Sequence, residues 1–292
     1  MSLALATLVS TAARIRPVYG IPASAAVGAP ISADKDFSQI AASATRNYVL
    51  VSAAQTGVVS VYTPEHGLVP IEGAAAAPDI VVLSPRGSAA ALWFSDGNQM
   101  QVVNGLPDAP TLRQVNASFL GSSPSAVALS DDGAWLAGVW SQGTYAFGPT
   151  GEINRLPVEN ISAIAFFHGT HDMAAAGPSG LQTLTGIEGF AAVTSLLTSD
   201  DASLQPVAVA VVSGNQTLLL ADSSGSLTTV GVASGTATTS DCGCRPEGLF
   251  GMGPAAFRLT GLSGGAFKLF DTTLGEILFA PVALVESEGA AQ

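Results

Sequence analysis

The sequence predicts an all-β protein, a six-bladed β-propeller of four-stranded antiparallel blades. Three observations predict it. Six segments rich in Ala, Val and Ile recur about every forty residues, and a glycine stands at one fixed offset after each. Gly and Pro also punctuate the chain at short intervals, as many short strands joined by tight turns require.

The recurring segments are QIAAS, DIVVLS, SAVALS, SAIAFF, VAVAVV and EGLFG. Aligned on Ile40, Ile80, Ala126, Ala163, Ala208 and Gly248, they lie 40, 46, 37, 45 and 40 residues apart. They are assigned to the innermost strands, where Ala41, Ala42, Ala128, Ala165 and Ala210 suit a crowded central channel. Ala is also the best helix former, but these apolar runs span only five or six residues and end at Gly, Pro, Ser or Asp. A parallel-strand solenoid would need terminal caps, which the sequence lacks.

Seventeen residues after each anchor stands Gly57, Gly97, Gly143, Gly180, Gly225 or Gly265. Glycine is about a ninth of the chain, so six hits at one offset are not chance. A tight hairpin turn between the second and third strands needs a positive φ, which glycine adopts without steric cost. After each glycine the chain alternates, as in Val59 and Val61 against Ser60 and Tyr62, which predicts a half-buried third strand. A further turn, such as Thr272 to Gly275, leads to a fourth strand.

These units occupy residues 36–284, with a disordered tail expected over 285–292. Residues 14–35 fall outside the repeats. Arg14 to Ile31 is expected to pack at the junction of the first and last blades and to add an edge strand there, since Pro17, Pro22 and Pro30 suit an edge. The alternative is a partial seventh blade. Met1 to Ala13 resembles part of a signal peptide without its basic start. That implies an extracytoplasmic protein, periplasmic or secreted; the other reading is cytoplasmic.

Composition excludes some partners. The net charge is −12, and Lys occurs only at positions 35 and 268. Such a surface repels a phosphate backbone, so nucleic acid and anionic membranes are not expected. No run of eighteen apolar residues predicts a membrane-spanning helix. A monomer without cofactors is expected.

Tyr48 to Tyr62 (YVLVSAAQTGVVSVY) resembles a YVTN-type propeller repeat. LSPRG (Leu83 to Gly87) and LSDDG (Leu129 to Gly133) resemble the S-P-D-G turn of YVTN, TolB-like and WD40-like bacterial propellers. The resemblance implies an architecture over roughly residues 36 to 284 and brings no catalytic residue. No WD dipeptide occurs, so the chain is not expected to be a WD40 protein proper.

Several clusters invite chemistry. Cys242-Gly243-Cys244 lies in the connection between blades five and six. Two thiolates one residue apart suit a soft metal or a redox pair; the plainer alternative is a local disulfide or two quiet thiols. His168 and His171, with Asp172, fall in the turn between the first two strands of blade four, on the opposite rim. They make a thin metal set, so no metal is assigned to either cluster. Gly261 to Gly265 matches G-x-S-x-G, but a nucleophile elbow joins a strand to a helix, and here the motif joins two strands. Propellers of the lactonase type need acidic ligands low in the channel, whereas these inner strands are apolar. Trp93, Trp135 and Trp140 read as core.

The expected function is a non-catalytic binding or scaffold propeller whose partner is a protein or a polar small molecule. Its ligand surface is expected on the rim of glycine turns and the Cys loop, at Gln55, Asp96, Gln142, Ser179, Asp222, Ser224, Arg245 and Ser263. Loops carry function on rigid scaffolds, and this mildly acidic rim suits a polar or cationic ligand. The competing expectation is a metal-assisted hydrolase or redox protein using the Cys242/Cys244 loop or the channel mouth.

Overall fold

The computed structural model describes residues 5–9, 12–19, 26–27, 30–31, 36–199, 204–212, 214–253, 255–261 and 266–281. Six four-stranded antiparallel blades follow one another. Blade one comprises Phe37–Ala42, Val49–Ala53, Val59–Thr63 and Gly67–Pro70; blade two Ile80–Leu83, Ala89–Phe94, Gln99–Asn104 and Thr111–Asn116. Blade three comprises Ala126–Leu129, Leu136–Trp140, Gly143–Phe147 and Ile153–Arg155; blade four Ala163–Phe166, Met173–Gly177, Gly180–Thr185 and Ala192–Thr198. Blade five comprises Pro206–Val211, Thr217–Asp222, Ser226–Gly231 and Ala237–Asp241; blade six Phe250–Gly251, Ala256–Arg258, Ala266–Asp271 and Glu276–Pro281. The helical turn among the described residues is a 3-10 piece, Ser118–Leu120. No described helix is long and apolar enough to cross a membrane.

Strands alternate in direction, so two kinds of turn share each face of the ring. First-to-second and third-to-fourth turns lie on one face, called here the first-turn face. Second-to-third turns and the connections between blades lie on the other, the glycine-turn face. Gly57, Gly97, Gly143, Gly180 and Gly225 all have positive φ, between 69° and 137°. Gly265 lies outside the described residues, as do the expected tail and most of the G-x-S-x-G motif.

One sequence expectation needs correcting. The inner strand of blade six is just two residues long and begins two residues beyond Gly248. The third strands mix buried and partly exposed positions, whereas the second strands Ala89–Phe94, Leu136–Trp140 and Met173–Gly177 are buried at every position. The reason is that each blade is covered on both faces. In blade two, Ala89, Ala91 and Trp93 pack toward blade three, while Ala90, Leu92 and Phe94 pack toward blade one. In these second strands alternate side chains therefore face two neighbouring blades.

Continuous apolar clusters join blade one to two, two to three, three to four, four to five and five to six. The last interface is built differently. Ile15 is fully buried with Phe37, Val49 and Val51 of blade one. Val18 is buried with Phe267, Leu269 and Ala280 of blade six. The hairpin of Leu5–Val9 and Ala12–Arg16 joins the channel-side edge of Phe37–Ala42, where Ala13 pairs with Phe37.

Polar bonds cross between blades at the first-turn face. The Tyr48 hydroxyl of blade one donates to the Gly87 carbonyl of blade two at 2.8 Å. Gly87 has φ +61°, and a Cβ there would run into Ser43 Oγ. The Asp131 carboxylate of blade three accepts the Arg86 N–H of blade two at 2.6 Å and the Gly169 N–H of blade four at 2.7 Å. Asn215 of blade five accepts the His168 N–H and donates to the His168 carbonyl, joining blades four and five.

Asp131→Ala strands two backbone donors at once and is expected to cost roughly 2–4 kcal/mol in urea unfolding, whereas exposed Asp96→Ala should change stability by less than about 0.5 kcal/mol. Deletion of residues 1–31 uncovers blade faces that Ile15 and Val18 now bury. It should lower the Tm clearly; an unchanged melt would show that the segment contributes nothing to ring closure.

Candidate functional site

The inner strands converge on an axial cavity of about 370 Å³. Its wall is largely apolar and rich in small residues, among them Ala42, Val82, Ala128, Ala165, Ala210 and Gly251, with larger Leu129, Ile164 and Phe166 beside them. Each blade gives its inner strand to this wall, and the narrowing toward the axis explains why Ala and Gly stand there. The cavity is bordered on the first-turn face by Ser43, Thr45, Ser84, Arg86 and His168. This is the face opposite the rim favoured by sequence reasoning.

Hydrogen bonds tie the backbone of the mouth to its neighbours. Arg86 donates its N–H to Asp131, and its carbonyl accepts from Thr45 Oγ1 at 2.7 Å and Arg46 Nε at 3.2 Å. Its side chain is 60% exposed and leans toward blade four, with Nε 3.6 Å from Asp131 Oδ2. The guanidinium lies over Gly169, where an added Cβ would stand 3.1 Å from Nη1. Of the described lining residues, Arg86 alone carries a permanent charge.

Sequence reasoning missed Arg86 and Ser84 because both lie in LSPRG, a segment fully accounted for as turn chemistry. The available signal was positional. A turn that follows directly on an inner strand stands at the channel mouth.

The residues singled out from sequence fall as follows. Gln55, Asp96, Gln142, Ser179, Ser224 and Arg245 are exposed, in turns or connections of the glycine-turn face. The Gln142 amide donates to the Leu120 carbonyl at 2.7 Å. Asp222 is buried and closes its own turn, accepting the N–H groups of Ser224 and Gln205. Burial works to raise its carboxyl, but these hydrogen bonds outweigh it and hold Asp222 below the usual carboxylate range. Ser263 lies outside the described residues.

Cys242 and Cys244 form a disulfide with Cα atoms 5.1 Å apart. Cys242 is buried between blades five and six, and its N–H donates to the Gly225 carbonyl at 2.9 Å. Lys268 Nζ closes the loop, donating to the Cys242 carbonyl at 2.8 Å and the Gly243 carbonyl at 2.6 Å. The structure thus has the local disulfide, the plainer of the two sequence alternatives.

The two histidines diverge. His168 borders the channel, with Nε2 3.2 Å from the Val211 carbonyl. His171 lies between carboxylates of two blades, with Nε2 2.8 Å from Asp132 Oδ2 and Nδ1 bonded to Glu188 Oε1. Trp135 of blade three packs beside it, ring centres 6.3 Å apart. Partial burial works to lower the His171 pKa, but bonding to Glu188 and Asp132 and their charges raise it overall. Among the described residues no group of three or more His, Cys, Asp or Glu is placed to hold a metal.

No family model and no curated protein matches the chain in sequence. Solved structures do match in fold, and they are β-propellers. A functionally unknown protein from Desulfotomaculum acetoxidans is similar, with a TM-score of 0.66 and 12% identity over 95% of this chain and 94% of that one. A streptogramin B lyase structure has a TM-score of 0.59 and 10% identity, covering 91% and 86%. The β-propeller domain of Myceliophteria thermophila Cps50 (Swd1) has a TM-score of 0.51 and 12% identity; 66% of this chain spans 65% of that one. At these identities the likeness concerns fold alone.

Alkylation of the folded protein without reductant should leave both cysteines unmodified, and mass measurement after reduction should show both modified. A raised His171 pKa gives stability that is complete below the unfolded value near 6.5 and is lost as pH rises through the folded value. Burial opposes ionisation of Asp132, yet its bonds with Ser130, Ala134 and His171 lower its pKa overall. Its contribution therefore stays in place down to about pH 4. The gap in urea midpoint between wild type and His171→Gln should be widest near pH 5–6 and should shrink by pH 9.

Proposed function

We propose that the protein is a non-catalytic binding propeller whose ligand enters the central channel from the first-turn face. The observation that carries this reading is the cavity: apolar walls of small side chains under a mouth with a few fixed polar groups. That is the usual composition of a small-molecule site, and about 370 Å³ falls within the usual range. Of the described lining residues none is a carboxylate or a cysteine, and the titratable ones are Arg86 and His168. Acid–base or nucleophilic chemistry would need a pair of groups within hydrogen-bond reach. His168 instead points its Nε2 at a backbone carbonyl. The disulfide loop belongs to the other face, which removes support from a channel-centred redox reading.

A second binding surface is favoured by a separate observation. Gln55, Asp96, Gln142, Ser179, Ser224 and Arg245 are all exposed on the glycine-turn face. A ring of exposed polar side chains there suits a protein partner.

Filling the channel tests the main reading. Ala165 and Ala210 line the cavity and are partly exposed, so Ala165→Phe and Ala210→Phe extend into open space. Decanol serves as a neutral apolar probe. At a tenfold excess over its Kd it should raise the wild-type Tm by roughly 2–5 °C. The Phe variants should keep their own Tm within a few degrees and lose the shift. No shift in the wild type, or an equal shift in the filled variants, would remove the channel as the site.

A further inference from the structure

We propose that the channel takes an amphipathic anion, a medium-chain alkyl carboxylate in chemical class, with its hydrocarbon in the channel and its head on Arg86. The inference rests on the channel being the binding site and adds the identity of the head group.

Four observations carry it. The first is the sign of the mouth. In a chain of net charge −12, the one permanently charged group among the described lining residues is a cation. The second is how that cation is held. Asp131 spends its carboxylate oxygens on the N–H groups of Arg86 and Gly169, and it faces Arg86 through Nε at 3.6 Å. The two Nη groups lie over Gly169 and have no hydrogen-bond acceptor among the described residues, and a guanidinium pairs a carboxylate through two parallel bonds.

The third observation is a pair of spare donors. Ser84 Oγ is buried at the cavity and accepts the N–H groups of Ser88 and Ala89, each at 3.1 Å. Ser43 is also buried and lines the cavity, and its Oγ, beside Gly87, accepts the Arg46 N–H at 3.0 Å. An oxygen that accepts still has its proton to give, and among the described residues neither hydroxyl has a protein acceptor for it. In blade three the corresponding Ser130 gives its proton to Asp132 at 2.6 Å, so blades one and two differ in exactly the turns that flank Arg86. The fourth observation is the wall. It offers methyl and methylene surface from Val82, Ala165 and Ala210 and no described carboxylate. A free inorganic anion would leave that surface in contact with water, and a pure hydrocarbon would make no use of the cation and hydroxyls at the mouth. One molecule with an apolar chain and an anionic head satisfies both.

The test compares three probes that differ in the head group alone: decanoate, decanol and decylammonium, each titrated calorimetrically below its critical micelle concentration. Decanoate should bind about tenfold more tightly than decanol, a gain of the size of one charge-assisted pairing, and decylammonium more weakly than either. The decanoate advantage should shrink in high salt, while decanol binding should not weaken. Arg86→Met should abolish the advantage and leave decanol bound. That variant should fold, because Arg86 joins the ring through its main chain and its side chain is 60% exposed. Ala165→Phe should remove all three probes. If decanol binds as tightly as decanoate, or Arg86→Met keeps the preference, the anionic head is wrong and the channel remains a site. If none of the probes binds, the channel reading fails together with it.

Discussion

Every blade in this ring must be apolar on both faces, because each is packed between two neighbours. The second strands show it most directly: Ala89 to Phe94 turn alternate side chains to blades three and one, and none reaches water. The charge-poor, Ala- and Val-rich composition follows from this constraint. Size is dictated as well as polarity. Blades splay outward from an axis, so bulky groups such as Trp93 and Trp140 meet at 6.3 Å between blades two and three, while Ala and Gly stand nearest the channel.

With the faces committed largely to packing, the polar side chains of the turns perform two tasks. Some close their own turn: Asp222 does so for blade five, and Asp79 accepts the Ser95 N–H and hydroxyl across a blade-two turn. Others close the ring. Asp131 accepts from the backbones of blades two and four, and Asn215 clasps both sides of the His168 peptide unit. A residue of the second kind costs more to remove than its local turn suggests, because its loss leaves donors on other blades without an acceptor.

The repeat was legible in the sequence because turn chemistry is local. A positive φ after the second strand demands glycine, and that demand recurs at Gly57, Gly97, Gly143, Gly180 and Gly225. What was not legible is what turns do between blades. LSPRG and LSDDG read alike as S-P-D-G turns, yet Asp131 links three blades while Arg86 stands at the channel mouth. Contacts across forty residues leave no local pattern, so the cavity's face could not be read from turn composition. Blade six was misjudged for a related reason. Its inner strand makes two ladder pairs, Phe250 with Arg258 and Gly251 with Phe257, too short a stretch for any periodicity to register.

The same physics explains why the first-turn mouth is suited to binding. A ligand gains affinity when the groups it meets need not be ordered on arrival. Arg86 is fixed by one bond given and two received through its main chain. Ser84 is fixed by two N–H groups donated to its Oγ, and His168 by Asn215 and the Val211 carbonyl. Only the outer part of the Arg86 side chain remains to be ordered. The bonds that hold the blades together thus also hold the mouth in shape, and a side chain can change there without unpicking the ring, provided its backbone partners stay. On the glycine-turn face, Gln55, Asp96 and Ser179 project from turn tips into solvent, so a partner there would meet mobile side chains and gain more from area than from preorganisation.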